Sequence, residues 1–144
     1  MADHEIKKII FICTGNSCRS QMAEGWAKYL KKDLFQSFSA GIEKHKLDPL
    51  AIQVMAEEGI DISKQKPKLI SELEDNRFDY VITICEDANS NCPVFPGKGK
   101  RIHHGFDNPP KIAKTLETQA DILSLYRRVR DEIREFISKM PSNL

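Results

Sequence analysis

The sequence predicts an α/β fold: one domain on an open, four-stranded parallel sheet with helices on both faces. Three observations predict it. Short β-branched apolar runs alternate with longer stretches of helical periodicity. The first run, Ile9-Ile10-Phe11-Ile12, is apolar without alternation, as in strands covered on both faces. Finally, Cys13, Cys85 and Asp107 each fall just after a predicted strand, at the edge where such sheets bind ligands.

The 144 residues suffice for a single domain, 1–144, and are too few for two. Charged residues make up 30% and apolar residues 40%, the balance of a soluble globular chain. A net charge of +1 gives no basis for a nucleic-acid partner or an acidic membrane surface. No run approaches the length of a membrane span, and the apolar run after the polar start is too short for a signal-peptide core. A cytoplasmic monomer is therefore expected.

The elements follow in order. Ile6–Ile12 is the first strand. Ser20–Lys32 is a helix with Met22, Trp26, Tyr29 and Leu30 on one apolar face, and Glu24, Lys28, Lys31 and Lys32 mostly on the wet side. Leu34–Ala40 alternates around Phe35 and Phe38 as a second strand ending at Gly41; residues 42–47 are a polar loop. Asp48 is placed to cap the next helix and Pro49 to fill its first position. Leu50, Val54 and Met55 give that helix an apolar side, and Gly59 ends it. Residues 60–69 are a mixed connector, and Ser71-Glu72-Leu73-Glu74 reads as a capping box for a short helix. Phe78–Ile84 is the third strand and Lys100–Phe106 the fourth. Between them Glu86–Gly99 lacks periodicity and reads as a mobile loop. The last helix spans Thr118–Ser138, with Ile122, Leu125, Tyr126, Val129, Ile133, Phe136 and Ile137 as its core stripe.

The functional reading centres on Cys13-Thr14-Gly15-Asn16-Ser17-Cys18-Arg19-Ser20, between the first strand and the first helix. Cysteine, five residues and arginine is the spacing with which a short loop wraps a tetrahedral oxyanion. The N–H groups of Thr14, Gly15, Asn16, Ser17, Cys18 and Arg19 can point inward as a nest, backed by the helix N-terminus. Arg19 offers a planar fork for two oxygens of phosphate or arsenate. Cys13, at the mouth of this positive cup, is expected to be a thiolate, with the Ser20 hydroxyl donating to it. Gly15 is expected where a Cβ would crowd the anion. The alternative is a buried cysteine that merely precedes an arginine, against which the strand–loop–helix context argues.

Cys85 and Cys92 form a second constellation, separated by six polar or small residues. One thiol is expected at a strand end and the other in the loop. A disulfide requires Cα atoms within roughly 7 Å, so the pair closes only by rearranging, as a redox switch would. Two unrelated loop thiols remain an alternative. A zinc site from all four cysteines is disfavoured, since only Cys13 and Cys18 have ligand spacing and both lie in the anion loop. His103 and His104, as strand neighbours, face opposite sides. Cys18 is read as a structural loop residue rather than a participant.

With these residues in hand the sequence resembles the thioredoxin-coupled arsenate reductases, which share the fold of the low-molecular-weight tyrosine phosphatases. The matching segments are Phe11 through Gly25, Ser39-Ala40-Gly41-Ile42-Glu43, Gly59-Ile60-Asp61-Ile62-Ser63, Cys85 through Pro93, His104-Gly105-Phe106-Asp107 and Arg128 through Ile133. The resemblance implies that Cys13 attacks arsenate held by the loop and Arg19. Cys85 then attacks Cys13 and arsenite leaves; Cys92 moves the disulfide to Cys85–Cys92, which thioredoxin reduces. No cofactor is implied. Two positions depart from the family. Its general acid is an aspartate immediately before a proline; Asn108 stands there, leaving Asp107 as the candidate acid and implying weak phosphatase activity. Asn16, Glu24 and Ser39 match a potassium site of some members, but the acid that completes it is Lys68, whose ammonium would replace the cation.

Two other readings compete. A protein or small-molecule phosphatase would use the same Cys13/Arg19 loop but has no use for Cys85 and Cys92. A non-catalytic oxyanion or redox sensor would switch through the loop disulfide, but does not require an intact nucleophile loop.

Overall fold

The computed structural model describes residues 6–74, 77–84 and 99–144. Its strands are β1 (Lys7–Cys13), β2 (Phe35–Gly41), β3 (Tyr80–Thr83) and β4 (Lys100–His103). All pair in parallel, in the order β2-β1-β3-β4. The α-helices of the described residues are α1 (Arg19–Leu30), α2 (Pro49–Glu57), α3 (Pro109–Ala113) and α4 (Gln119–Ser138).

The continuous apolar run predicted a strand buried on both faces, and Ile9, Ile10, Phe11 and Ile12 are all fully buried. Each such side chain contributes roughly 1.5–3 kcal/mol by leaving water. Ile9 and Phe11 pack with Met22, Trp26, Val54, Met55, Val129 and Ile133, contributed by α1, α2 and α4. Ile10 and Ile12 face the other way, onto Ala40, Phe78 and Val81, with Ile70 and Leu73 against them. Among the described residues, the helical cover on that second face is one 3₁₀ turn, Ile70–Glu72. The α4 stripe is as read: Leu125, Tyr126, Val129, Ile133, Phe136 and Ile137 are buried and Ile122 partly so.

Several expectations are corrected. Glu24 lies on the buried side of α1, whereas Tyr29 is 61% exposed. Glu24 is drawn inward by polar partners that no apolar pattern registers. The Ser71–Glu74 box does not form. Instead Glu72 reaches back to the N–H of Leu69 (2.8 Å), so the cap sits earlier in the chain. The third and fourth strands are shorter than read, and α3, opened by Pro109-Pro110, was not anticipated. Asp48 caps α2 as expected, accepting from Leu50 N–H at 2.9 Å, and Gly59 ends it at φ 78°.

Since β1 is flanked by β2 on one side and β3 on the other, the chain leaves it in opposite directions. The C-terminal end of β1 is thus the switch point where open α/β sheets hold ligands. Cys13 is the last residue of β1. No helix of the described residues is long and apolar enough to cross a membrane.

Candidate active site

Residues 14–18 leave β1 and enter α1 through a tight loop whose carbonyls are turned outward to fixed partners. Thr14 O accepts from Glu43 N–H (2.9 Å), Gly15 O from His45 N–H (3.0 Å) and Ser17 O from Asp48 N–H (2.9 Å). Asn16 O accepts from the Gln21 side chain at 2.9 Å. With the carbonyls anchored outside, the loop N–H groups are left to the concave side, the arrangement of an anion nest. The left-handed turn this needs falls on Asn16, at φ 50°, one of the residue types that tolerate it.

Gly15 has His45 beside it. A Cβ there would stand 2.4 Å from Nδ1 of His45, so the glycine makes room for an imidazole. Gly41 serves the same loop from below: a Cβ on it would strike Thr14 O at 2.7 Å and Asn16 N at 2.9 Å.

The side chains converge as predicted. Cys13 Sγ and Ser20 Oγ are 2.8 Å apart, both buried. Asn16 Nδ2 donates to the same Ser20 oxygen at 2.8 Å, which leaves the Ser20 proton for the sulfur. Arg19 is buried at the start of α1, and its Nη1 donates to Ile84 O (3.1 Å) and Phe106 O (3.0 Å). These bonds tie the guanidinium to the ends of β3 and β4 and leave Nε and Nη2 for an oxyanion. Cys18 caps α1 without a side-chain cap bond. Burial, the Asp48 carboxylate and Cys13 push its thiol well above the usual range, outweighing Arg19.

These groups open onto a cavity of about 310 Å³ lined by Cys13, Thr14, Gly15, Ser17, Cys18 and Arg19. The rest of the lining is His45, Asn108, Pro110, Lys111 and Lys114. The described lining holds cations and no carboxylate. Asn108 is thus on the wall, whereas Asp107 is not: its side chain is half exposed and paired with Arg128 at 2.9 Å. Cys85 and Cys92 lie outside the described residues. His45, Lys111 and Lys114 were not singled out from the sequence. The run Lys44-His45-Lys46 was the one available signal, and a polar loop explained it equally well.

The cluster expected at a potassium site is also assembled, with its oxygens already engaged. Asn16 Oδ1 accepts from Lys68 N–H (2.8 Å) and Gln21 Nε2 (3.1 Å). The buried Glu24 carboxylate accepts from Ser39 Oγ and Lys28 Nζ, with Lys68 Nζ at 4.0 Å. The residues present do not fit a cation.

Residues 8–144 match the family described as low molecular weight phosphotyrosine protein phosphatase. The chain belongs to that family. An arsenate reductase of Bacillus licheniformis is 50% identical, covering 92% of this chain and 94% of the relative. The crystal structure of an arsenate reductase from Archaeoglobus fulgidus superposes with a TM-score of 0.75 at 32% identity, over 92% of this chain and 97% of that one. A tyrosine phosphatase from Erwinia amylovora shares the fold, with a TM-score of 0.69 at 16% identity over 100% of this chain and 97% of the other. The cavity of this low molecular weight phosphatase family member thus lies on the Cys13–Arg19 loop, at the switch point of the sheet.

Proposed function

We propose that this protein reduces arsenate to arsenite. The observation that carries the reading is the buried Cys13–Ser20 contact at 2.8 Å, on the same cavity wall as the anchored guanidinium of Arg19. It supplies a nucleophilic sulfur with a donor aimed at it, facing a cup built for a tetrahedral oxyanion. The relatives named arsenate reductase support the choice of arsenic over phosphorus.

In this reading Cys13 thiolate attacks arsenic, forming a sulfur–arsenic bond as an oxygen departs. Cys85 attacks the Cys13 sulfur; the two sulfurs are oxidised, arsenic is reduced and arsenite leaves. Cys92 then takes the disulfide to Cys85–Cys92, and thioredoxin is the reductant that resets it. The described cavity residues come from one chain, so the reading needs no second copy. Lys68 and Lys28 balance the charge of Glu24, so replacing potassium by sodium at equal ionic strength should change kcat/KM less than about 2-fold.

The test is a single turnover of fully reduced protein with arsenate and no other reductant. One arsenite per chain, with a Cys85–Cys92 disulfide found by peptide mass spectrometry, supports the relay. Free thiols throughout and no arsenite would overturn it, and rapid hydrolysis of an aryl phosphate would then favour the phosphatase reading.

A further inference from the structure

The reaction leaves a proton unassigned. When a sulfur–arsenic bond forms, an oxygen must depart, and it departs far more readily as water than as hydroxide. The aspartate that the sequence offered is paired with Arg128 and lies off the cavity wall. Among the described side chains that line the cavity, few can give a proton. Arg19 never deprotonates. Cys13 is the nucleophile. Cys18 keeps its proton, as a buried thiol beside a carboxylate. Asn108 is an amide, Thr14 and Ser17 offer only alcohol protons, which are too weakly acidic, and Lys111 and Lys114 are exposed amines of a type too basic to be efficient donors near neutral pH. His45 is left.

The geometry around His45 suits that task. Nε2 lies 2.7 Å from a carboxylate oxygen of Glu43, which fixes the ring and keeps a proton on that nitrogen. Nδ1 is the atom turned toward Gly15 and the anion loop, as the 2.4 Å approach to a Cβ at Gly15 requires. The His45 N–H holds Gly15 O at 3.0 Å, so the ring is mounted on the loop that would bind the oxyanion. Both side chains are more than half exposed, 55% for His45 and 57% for Glu43. A pair so exposed adds little to stability, so its consequence is the orientation of the ring. Exposure also lets solvent return the proton. The other described imidazoles are placed elsewhere: His103 meets Thr83 at 2.9 Å, and His104 packs on Phe106 and Phe136.

We propose that His45, oriented by Glu43, is the catalytic residue that protonates the departing oxygen of arsenate. The inference rests on the arsenate reductase reading. In the step, the Cys13 thiolate adds to arsenic(V) while an arsenic–oxygen bond breaks. The proton on Nδ1 passes to that oxygen, which leaves as water. The ring thus enters the step as imidazolium, with a proton on each nitrogen, and is left as neutral imidazole with its hydrogen on Nε2; arsenic is not reduced until the next thiol attacks.

The experiment is rapid-quench single turnover of the full chain as wild type, His45→Ala, His45→Gln and Glu43→Gln, measuring arsenite release. Competition by inorganic phosphate is measured alongside as a readout of oxyanion binding. General acids contribute about 10²–10⁴-fold, so His45→Ala should lose about 100-fold in rate with its phosphate inhibition constant within about 3-fold of wild type. Added imidazole should restore part of the rate in His45→Ala, and Glu43→Gln should lose about 10-fold. His45→Gln, which keeps the bulk and the polar contact, should be as slow as His45→Ala. Two results would overturn the assignment: both His45 variants running at wild-type rate, or a rate loss matched by weaker phosphate inhibition without imidazole rescue. Wild type that releases no arsenite would instead overturn the reading beneath it.

Discussion

Cys13 and Cys18 stand at the two ends of one loop, both buried and both on the wall of one cavity. Cys13 meets a donor: the Ser20 hydroxyl, 2.8 Å away, has its own oxygen occupied by Asn16 and so turns its proton to the sulfur. Cys18 meets the charge of Asp48, whose carboxylate is fixed by Leu50 N–H at 2.9 Å and the Tyr126 hydroxyl at 2.6 Å. A donor stabilises a thiolate, whereas a carboxylate and a dry site stabilise a thiol. One loop therefore carries two thiols in different surroundings. The loop sequence does not distinguish them; their partners at Ser20 and Asp48 do.

The sharpest way to break this contrast is to remove each sulfur. Cys13→Ser should abolish arsenite release in single turnover, by more than about 1,000-fold, because no other group on the described wall is placed as the nucleophile. Cys18→Ser should stay within about 3-fold of wild type. Equal losses in the two variants would make Cys18 a participant and end the distinction.

Removing the donor is the next largest change. A hydrogen bond to a charged group is worth about 1.5–3 kcal/mol, so Ser20→Ala should slow the first chemical step by about 10- to 100-fold. The far-ultraviolet circular dichroism and melting curve should stay close to wild type. An unchanged rate would mean that the nest and helix terminus alone hold the thiolate.

Asp48 tests the other half. Asp48→Asn removes the charge but keeps a good helix cap, so α2 should survive. Without the carboxylate the Cys18 thiol loses one cause of its upward shift, and its thiolate fraction rises at any given pH. Alkylation of Cys18 by iodoacetamide at pH 8, read by mass spectrometry against Cys13, should increase about 10-fold. A stability consequence follows. The folded protein keeps this proton to higher pH than the unfolded chain, so the contribution is complete below the ordinary thiol range and is lost as pH rises through and beyond it. Asp48→Asn should make that alkaline decline shallower in urea unfolding.

The contrast also marks what the sequence could disclose. The Cys13 end was legible because its parts are contiguous: a buried strand, a glycine, an arginine and a serine within one loop. The parallel sheet followed from alternating periodicities, and most α4 core positions from one apolar stripe. The Cys18 end was not legible, because Asp48 and Tyr126 come from remote segments that meet only in the fold. The same holds for Glu24, read as solvated because α1 was judged by apolar spacing, yet buried against Ser39, Lys28 and Lys68. His45 belongs to this class too. Its ring sits over Gly15 because residues 43–48 are stapled to the anion loop by backbone bonds, which carry no side-chain signature.

The finest test reverses the sign. Tyr126 donates to Asp48 Oδ2, drawing off part of the negative charge that Cys18 faces. Tyr126→Phe removes that donor and leaves a more basic carboxylate, so Cys18 should become slower to alkylate, by about 2- to 3-fold, opposite to Asp48→Asn. The lost hydrogen bond should cost about 0.5–1.5 kcal/mol in urea unfolding, while the packed ring is kept. In the double variant, Tyr126→Phe should no longer slow Cys18 once Asp48 is Asn, because its effect passes through the carboxylate. An additive double variant would mean that Tyr126 acts on Cys18 through packing. The disposition of that thiol would then depend on burial more than on charge.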